Sequence, residues 1–343
     1  MNRILVTGAG ALLGQGILRC LKFSKKNYYI VTADPDVHST GHALADKSYI
    51  IPFANKNTYL EEVKKIIKEE KIELVLIGTD VELPIFAESC KIIEKECNCK
   101  IVISPKSVIE IANDKWLTAE FLRKNNYPYP KSALTSDKEG VKRLVREAGF
   151  PFIAKPVDGA RSKGLKTIKN SEDLDYVLSY PNNLVVQEKI SEDKGEFTTG
   201  CIVVNGKCKA VISMVRDLRD GNTWRAYRNE TVLYDKAIAE IAEKLGVEGP
   251  VNFQYRIKNN KPVIFEINGR FSGTTPLRYI FGFNEVEVLV EYYLNGKAIQ
   301  EPELKEGTIL RTFSDIFVEN KELDKFKKEK RISYKSTYYP FIN

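Results

Sequence analysis

The sequence predicts a mixed α/β and α+β fold, in which a Rossmann-like parallel α/β layer precedes antiparallel sheet. Residues 3–103 alternate short apolar runs with helical patterns, as consecutive βαβ units do. Residues 196–216 and 250–268 have instead the alternating pattern of antiparallel strands, with a helix at 234–245 between them. The 343 residues are enough for about two or three domains.

The elements follow from apolar runs and from the turn residues that separate them. Ser104-Pro105 ends the first pattern, and one helical stretch then runs from 107 to 126. The turn-rich "NNYPYPKS" and a second α/β stretch follow, ending near Lys189, and strand character returns at 308–313 before a charged helix. Within the parallel layer we expect strands at 3–7, 28–33, 73–77 and 100–103, and helices at 13–23, 58–69 and 83–96.

Composition and charge argue against several classes of protein. The net charge of +7 is spread along the chain, which does not indicate a nucleic-acid surface. Six cysteines without a C-x-x-C pair, and only two histidines, argue against structural zinc. No apolar run approaches a membrane span, and the start of the chain does not resemble a signal peptide. We therefore expect a cytoplasmic protein with reduced thiols that binds neither nucleic acid nor membrane.

The glycine-rich stretch "TGAGALLGQG" directly follows the first strand. Gly8, Gly10 and Gly14 open a helix, and Asp34 ends the second strand, where a dinucleotide's ribose would bind. The same glycines are also needed simply to pack a helix closely against a strand. The Tyr-x-x-x-Lys at 293–297 contains a glycine and comes late in the chain. We favour the packing role and keep an NAD-dependent oxidoreductase as the alternative.

A β-hairpin is predicted within residues 251–273, "VNFQYRIKNNKPVIFEINGRFSG". Two alternating stretches flank the turn "NNK". If Lys258 pairs with Pro262, Gln254 lies opposite Glu266. The apolar side of the hairpin should then hold Phe253, Tyr255, Val263, Phe265 and Ile267.

The polar side of this hairpin should bind a hard cation. Gln254, Glu266 and Asn268 converge there, and carboxylate and amide oxygens suit Mg²⁺ bound together with substrate phosphates. Arg270 continues the alternation and adds a guanidinium that can grip a phosphoryl oxygen. A solvated polar face is the alternative.

A second phosphate-binding feature lies upstream, in "IAKP". Lys155 ends an apolar strand, where an unpaired ammonium group is costly and a bound polyphosphate would supply the opposite charge. The loop at 158–164, "DGARSKG", can close over phosphates with its amides and cations, although an ordinary turn would also fit.

These motifs, in their order along the chain, resemble the ATP-grasp superfamily. Lys115, Lys155, the glycine loop, "VVQEKI" and "FEINGRFSG" carry the resemblance, and the chain is most similar to one half of the carbamoyl phosphate synthetase large chain. The first layer shares it through "VTGAGALLGQGILRCLK", "LADKSYIIP" and "GTDVELPIFAE". The resemblance implies a pre-ATP-grasp domain at 1–105, an ATP-grasp domain at 106–305 with a lid subdomain at about 128–188 and an antiparallel-sheet subdomain, and a C-terminal extension at 306–343.

The resemblance also implies which residues bind nucleotide and metal. Lys115, which would otherwise be a surface helix residue, and Lys155 would contact phosphates, and Glu196 would hold the ribose. Gln254, Glu266 and Asn268 would be the metal ligands, although the family often has a second carboxylate where Gln254 stands and a proline where Gly269 stands. The loop over the nucleotide would include Gly159, Ser162 and Gly164, and the adenine hinge would be Glu188 with the backbone of Lys189 and Ile190.

Arginines are concentrated just before the hairpin, in "MVRDLRDGNTWRAYRN" at 214–229. The family places this region near the transferred phosphoryl group and the acceptor, and guanidinium groups suit a carboxylate or an acyl phosphate. A solvated basic loop is the alternative. Of Arg216, Arg219, Arg225 and Arg228, Arg225 is our preferred catalytic candidate, together with Arg270 and Lys155.

The resemblance implies an ATP-dependent carboxylate–amine ligase that forms an amide through an acyl phosphate. ATP and one or two Mg²⁺ ions, or Mn²⁺, would be required, and the partners would be a small carboxylate and a small amine. A homo-oligomer is possible. Activation of bicarbonate, as in carbamoyl phosphate synthesis, is one alternative, but it would require partner proteins. A nucleotide-binding module without catalysis is another.

Overall fold

The computed structural model describes residues 1–158, 164–181, 183–229, 234–312, 314–333 and 337–339. Its first part is a parallel sheet in the order β3-β2-β1-β4-β5, with helices between the strands. This parallel layer confirms the predicted Rossmann-like arrangement and adds β3, a strand of four residues that the sequence pattern did not predict. Its elements are β1 (Asn2–Thr7), α1 (Leu12–Phe23), β2 (Tyr28–Asp34), β3 (Lys47–Ile50), α2 (Tyr59–Glu69), β4 (Leu74–Ile77), α3 (Leu83–Cys97) and β5 (Lys100–Val102).

The glycine-rich turn after β1 is packed tightly against its own layer. A Cβ at Gly14 would lie 2.2 Å from the Gly8 carbonyl oxygen, so the helix can approach the strand only without side chains there. The carboxylate of Asp34 accepts hydrogen bonds from the Gly10 amide (2.8 Å) and the Ser39 hydroxyl (2.6 Å). The proposed ribose acid is thus bonded within the layer, which favours the packing role and gives the oxidoreductase alternative no support.

The helical stretch predicted at 107–126 is two helices. Asp114 has an extended backbone, and its Oδ1 accepts hydrogen bonds from the second and third amides that follow it, at 2.7 and 2.9 Å. It therefore caps a new helix whose first residue is Lys115. The Lys115 amide donates to the Val157 carbonyl at 2.8 Å, which joins this helix to the small antiparallel sheet described next. The two helices are α4 (Lys106–Asn113) and α5 (Lys115–Lys124).

A small antiparallel sheet with two helices forms what we call the lid sheet. Its strands have the order β6-β9-β7-β8, and its own apolar core includes Phe152, Ile168 and Val186. The elements are β6 (Ser132–Leu134), α6 (Lys138–Ala148), β7 (Phe152–Pro156), β8 (Lys166–Ile168), α7 (Ser171–Leu178) and β9 (Leu184–Glu188).

A larger antiparallel sheet, which we call the central sheet, follows in the order β14-β13-β10-β11-β12-β15. It shares one apolar core with the parallel layer: Ile17 and Leu21 of α1 belong to the same buried cluster as Leu277 and Val290 of α9 and α10. The elements are β10 (Glu196–Val204), β11 (Lys207–Arg219), β12 (Asn222–Arg228), α8 (Asp235–Leu245), β13 (Gly249–Lys258), β14 (Lys261–Asn268), α9 (Thr275–Ile280), α10 (Glu285–Asn295) and β15 (Gly307–Leu310).

The β13–β14 hairpin has a tighter turn than the sequence predicted. Asn259 and Asn260 both have positive φ, +51° and +55°, as the two central residues of a type I′ turn require. Lys258 therefore pairs with Lys261, and the predicted pairing with Pro262 is wrong by one residue.

A bulge farther along the hairpin restores the predicted polar register. The pairing shifts between Gln254 and Tyr255, so Gln254 still lies opposite Glu266. Because one extra residue is accommodated in β14, the alternation of its side chains changes there. Ile264 is fully buried in the core, while Phe265, which we predicted on the apolar side, lines the cleft described below.

The C-terminal extension connects the two larger sheets. β15 pairs with β12 of the central sheet, whereas β17 pairs antiparallel with β3 of the parallel layer. Phe326 is fully buried, and its ring meets the His42 ring edge-on at 4.9 Å. The range 306–343 thus contributes strands to both of the larger sheets. The predicted boundaries near residues 105 and 305 stay a proposal. Its remaining elements are β16 (Asp315–Phe317), α11 (Asn320–Glu329), β17 (Arg331–Ile332) and β18 (Thr337–Tyr339).

We predict that Glu82→Gln stabilises the fold at neutral and alkaline pH. Burial raises the pKa of Glu82 from 4.5 to about 7, although the Tyr59 and Thr7 hydroxyls donate to its carboxylate. The folded chain therefore binds this proton more tightly than the unfolded chain, and stability falls as the pH rises from 4.5 to 7. The variant should gain on the order of 2–3 kcal/mol in free energy of unfolding at pH 8. In urea titrations the gain should disappear toward pH 5; a pH-independent difference would contradict this account.

Candidate active site

A cleft of about 430 Å³ lies where the parallel layer, the lid sheet and the central sheet meet. The parallel layer contributes the beginning of α1 and the segment after β4, and the lid contributes β7 and β8. The β13–β14 hairpin and the β11–β12 turn form the opposite wall. Nine of the residues that we preferred as nucleotide-binding, metal-binding or catalytic candidates line this cleft: Lys115, Lys155, Glu188, Lys189, Ile190, Glu196, Gln254, Glu266 and Arg270.

Lys155 is carried into the cleft by β7, whose other side packs in the lid core. Its Nζ donates a hydrogen bond to Gln187 Oε1 at 2.8 Å. Burial lowers the pKa of Lys155 to about 8, the Glu266 carboxylate opposes this shift, and the Lys115 ammonium adds to it. The cleft therefore disfavours positive charge at this amine until an anion binds nearby.

One end of the cleft combines an apolar slot with backbone polar groups. Glu188 of β9 forms an ion pair with Lys258 of the hairpin, and the Lys189 amide donates to the Pro151 carbonyl at 3.3 Å. The Ile190 carbonyl accepts a hydrogen bond from Arg256 Nη1 at 3.1 Å. The slot itself is lined by Pro130, Ile153, Leu165 and Phe265. Such an arrangement suits a flat heteroaromatic ring that also needs hydrogen-bond partners at its edge.

Glu196 lies between two arginines in the middle of the cleft. One of its oxygens accepts from Arg216 Nη2 at 2.6 Å and the other from Arg256 Nη2 at 2.9 Å. Glu192, which the sequence analysis did not single out, also lines the cleft and pairs with Arg256 at 3.1 Å. Both carboxylates pair with Arg256, which also donates to the Ile190 carbonyl at the apolar slot. The predicted ribose-binding role of Glu196 stays a proposal.

The three predicted metal ligands form one hydrogen-bonded group on the hairpin. Glu266 Oε1 accepts from the amide nitrogens of Gln254 (3.3 Å) and Asn268 (3.0 Å). The amide oxygens in turn accept from Arg216 Nη2 (2.7 Å) and Arg270 Nη2 (2.8 Å). Among the residues described, no group of three or more His, Cys, Asp and Glu side chains could hold a metal, so one carboxylate and two amides are the available donors.

Arg270 is held by a contact that joins two sheets. Its Nε donates to Asp80 Oδ1 at 2.6 Å, and its Nη1 donates to the Phe271 carbonyl at 3.0 Å. Asp80 belongs to the parallel layer, in the short helical turn after β4. The guanidinium is thus fixed in the cleft by groups from both sides of it.

The preferred arginine of the predicted cluster does not line the cleft. Arg225 is about half exposed and forms an ion pair with Asp217 at 3.7 Å. Arg216 instead faces the cleft, with a side chain that is 9% exposed. Strand alternation explains the difference, since Asp217 lies directly opposite Arg225 and Arg216 opposite Ala226. The proposal of a catalytic arginine therefore passes from Arg225 to Arg216.

Asp80 and Asn252, like Glu192, line the cleft but were not predicted from the sequence, and part of the predicted glycine loop cannot be placed. Asp80 stands in the quoted "GTDVELP", and Asn252 precedes Gln254 by one alternation on β13, which was the available signal for it. Gly159 and Ser162 lie outside the described residues. Gly164 is described, with φ of +74° at the start of the return toward β8.

Three family models match parts of the chain, and two of these parts overlap. Residues 4–102 match the family described as PylC-like, N-terminal domain. Residues 112–246 match the RimK-like ATP-grasp domain, and residues 181–316 match the family described as ATP-grasp in the biosynthetic pathway with Ter operon.

Curated relatives include carbamoyl phosphate synthase large chains. The one from Archaeoglobus fulgidus is 22% identical over 90% of this chain and 30% of its own length, and the one from Caldanaerobacter subterraneus is 24% identical over 89% and 30%. The chain therefore spans about 30% of the length of these relatives.

Solved structures with the same fold include two nucleotide complexes. N5-carboxyaminoimidazole synthetase from Staphylococcus aureus, complexed with ADP, has a TM-score of 0.71 at 16% identity, with 96% of this chain and 85% of that chain covered. The biotin carboxylase domain of 2-oxoglutarate carboxylase from Hydrogenobacter thermophilus, in complex with MgADP and bicarbonate, has a TM-score of 0.69 at 17% identity, with 90% and 73% covered. Within the described part of this chain, no helix is long and apolar enough to cross a membrane.

We predict that binding of MgADP weakens above pH 8 because Lys155 loses its proton. A phosphate favours the charged amine, whose pKa in the free protein is about 8. The Kd measured by calorimetry should therefore rise with pH, approaching about tenfold per pH unit. Lys155→Arg keeps its charge and should give a flatter profile between pH 7.5 and 9.5. If the Kd of MgADP rose equally steeply with pH in the wild type and in Lys155→Arg, Lys155 would not be the titrating phosphate ligand.

Proposed function

We propose that this chain, a member of the ATP-grasp superfamily, is an ATP-dependent carboxylate–amine ligase that works through an acyl phosphate and releases ADP and phosphate. The observation that carries the proposal is the convergence, in one cleft, of Lys155, Arg216 and Arg270 with the Glu266 hairpin. A triphosphate is the ligand that such an arrangement fits, because it satisfies several cations and a metal at once.

The nucleotide would lie with its base in the apolar slot and its phosphates toward the hairpin. Ile190 supports this orientation, since its carbonyl is fixed by Arg256 and, within the described residues, its amide donates no hydrogen bond. Lys115 and Lys155 then face the phosphates from the lid side, and the pKa of Lys155 should rise again as they bind. The ADP and MgADP complexes of the two solved relatives support a nucleotide in this cleft.

The donor set of the hairpin fits Mg²⁺. One carboxylate, Glu266, and the amide oxygens of Gln254 and Asn268 are hard oxygen ligands, and Mg²⁺ commonly binds one or two carboxylates together with substrate phosphates. Each amide oxygen has two lone pairs, so it can bind a metal while it accepts from an arginine. When bound, the metal would offset the negative charge that develops between the β- and γ-phosphates.

The side chains of the chain itself would position the reactants. Arg270, fixed by Asp80 and Asn268, presents a guanidinium to the transferred phosphoryl group, and Arg216 does so from the central sheet. The substrate carboxylate attacks the γ-phosphorus in line, and an amine then attacks the acyl carbon and expels phosphate. No side-chain nucleophile is required for either step. Exclusion of water by the lid would protect the acyl phosphate from hydrolysis.

The end of the cleft opposite the apolar slot would receive the acid and the amine. It would be lined by small hydroxyl side chains and a few apolar ones from the parallel layer, the β11–β12 turn and the loop after the hairpin, namely Leu12, Thr79, Leu218, Thr223, Ser272 and Thr274. This lining suits small polar substrates. Bicarbonate is the second candidate for the acid, since the relatives include carbamoyl phosphate synthases and a biotin carboxylase domain in complex with bicarbonate. That relative is described as a dimer, and a homo-oligomer of this chain stays a proposal.

A screen of small carboxylates, including bicarbonate, against small amines should identify a pair that stimulates ADP release in the presence of Mg²⁺. Glu266→Gln removes the only carboxylate of the proposed metal site and should lower that release by about 100-fold or more. Asp217→Asn, on the exposed side of the same sheet, is the control and should be near wild type. Undiminished release by Glu266→Gln would refute the metal assignment.

Arg216 on β11 and Arg225 on β12 offer a second, matched test. Arg216→Gln should lower the same ADP release by about 100-fold, because it removes a guanidinium that faces the phosphates. Arg225→Gln makes the same chemical change outside the cleft and should leave the rate within about threefold of wild type. The opposite ranking of the two variants would restore the sequence-based choice of Arg225.

A further inference from the structure

Strand β13 carries three cleft side chains at alternate positions, so the spacing of strand residues gives the distances between them along the cleft. Arg256 is bonded to the Ile190 carbonyl at the apolar slot, and Gln254 faces Glu266. Asn252 comes next, and it also lines the cleft. Because alternate residues on a strand are about 7 Å apart, Asn252 lies about 14 Å from the position of Arg256. It is therefore near the far end of a nucleotide whose base occupies the slot.

The side-chain amide of Asn252 has a fixed orientation. Its Oδ1 accepts hydrogen bonds from the Thr198 hydroxyl, at 2.8 Å, and from Arg278 Nη2. Both donors are completely or almost completely buried. With the oxygen held in this way, the Nδ2 group is directed elsewhere, and it donates to no described residue. Asn252 is 1% exposed and lines the cleft, so its Nδ2 is a hydrogen-bond donor without a described partner at the cleft wall.

Arg278 reaches Asn252 because the adjacent strand has no side chain in its path. A Cβ at Gly200, which pairs with Asn252, would lie 2.4 Å from Arg278 Cζ. The guanidinium is 1% exposed and forms an ion pair with Glu285, at 2.9 and 3.2 Å. Its Nε has no hydrogen-bond partner among the described residues. A buried charge of this kind is costly, and its geometry is correspondingly constrained.

The same ion pair also supports the loop that follows the hairpin. The Thr275 hydroxyl donates to Glu285 and accepts from the Ser272 amide at 3.0 Å. The Ser272 hydroxyl is 2.6 Å from that of Thr274, and both residues line the cleft. The pair Arg278–Glu285 therefore connects two separate parts of the same cleft wall.

We infer that Asn252 Nδ2 donates a hydrogen bond to an oxygen of the terminal phosphoryl group, and that Arg278 is the positioning residue that keeps this donor turned toward it. This inference rests on the proposed function, since it requires a nucleotide whose phosphates lie along the hairpin. A donor aimed at the transferred group in a partly buried site stabilises the charge that it carries during transfer. Substitution of Asn252 should therefore affect binding of the terminal phosphoryl group and leave binding of the diphosphate unchanged.

The test compares two probes by calorimetry, MgADP and the magnesium complex of the β,γ-methylene analogue of ATP. Asn252→Asp keeps the shape of the side chain and one oxygen, but it replaces the amide donor by a carboxylate oxygen. The Kd of the analogue should rise by about 30-fold or more, while the Kd of MgADP should change by less than about twofold. Asn98→Asp, the same substitution at an exposed position outside the cleft, is the matched control and should change neither affinity.

The positioning role of Arg278 is tested by removing both charges together, in Arg278→Met/Glu285→Gln. The analogue should bind about tenfold more weakly, and the affinity for MgADP should not change. When all three substitutions are combined, the loss of affinity for the analogue should be no larger than that caused by Asn252→Asp alone. Thr198→Val removes the other donor to Asn252 Oδ1 with little change in volume and should give a smaller loss, selective for the analogue. This variant decides the question if the charge-free variant does not fold.

The outcomes separate this inference from the function on which it rests. A wild-type protein that binds neither probe overturns both. A wild-type protein that binds both probes leaves the proposed function standing, and the inference alone then fails in either of two cases. In the first, Asn252→Asp weakens binding of MgADP as much as binding of the analogue, or it weakens neither. In the second, the control Asn98→Asp causes the same selective loss. Additive effects of the Arg278 and Asn252 changes would remove the positioning role.

Discussion

The pairing of Gln254 with Glu266 across the β13–β14 hairpin is the constraint on which the site depends. It sets one carboxylate between two amides, and through those amides it fixes Arg216 and Arg270. The pairing exists because a two-residue turn and a bulge shift the register in opposite directions. Without the bulge, a register slip of one residue would turn the carboxylate toward the core and the apolar residues toward the cleft.

Positive charge in the cleft is arranged at a cost that a polyphosphate would remove. Lys155 is desolvated enough to lower its pKa to about 8, and Lys115 lies close enough to lower it further. Arg216 and Arg270 are more than four-fifths buried, and they are held by Glu196 and by Asp80. Since desolvation of cations is offset only by nearby negative groups, the cleft is organised for an anionic ligand that spans the lid and the hairpin.

Much of the fold could be predicted because its signals are local. The apolar runs of β1, β2 and β4, the turn "NNK" and the alternation of β13 depend on neighbouring residues, and the elements lie close to where we expected them. The motif order also led to ATP-grasp families, whose models match residues 112–246 and 181–316. Errors arose where one residue changes the register: Asp114 ends α4 and caps α5, and the bulge turns Phe265 toward the cleft.

The composition of the site was harder to predict, because its contacts join distant parts of the chain. Asp80 and Arg270 are 190 residues apart, and no periodic pattern indicates that they meet. Arg216 and Arg225 are chemically equivalent in the sequence, and only the pairing of β11 with β12 decides which of them faces the cleft. Asn252 shares the alternation of the hairpin, but the buried Arg278 that orients it is recognisable only in three dimensions.

A crystal structure of the protein with MgADP, with Mn²⁺ as an anomalous marker in a parallel crystal, tests the central claim most directly. This account predicts adenine between the lid and Phe265, and a metal peak within ligand distance of the Glu266 carboxylate, about 2.0–2.2 Å for such ions. Nucleotide density along the glycine turn after β1, with no metal at the hairpin, would contradict it.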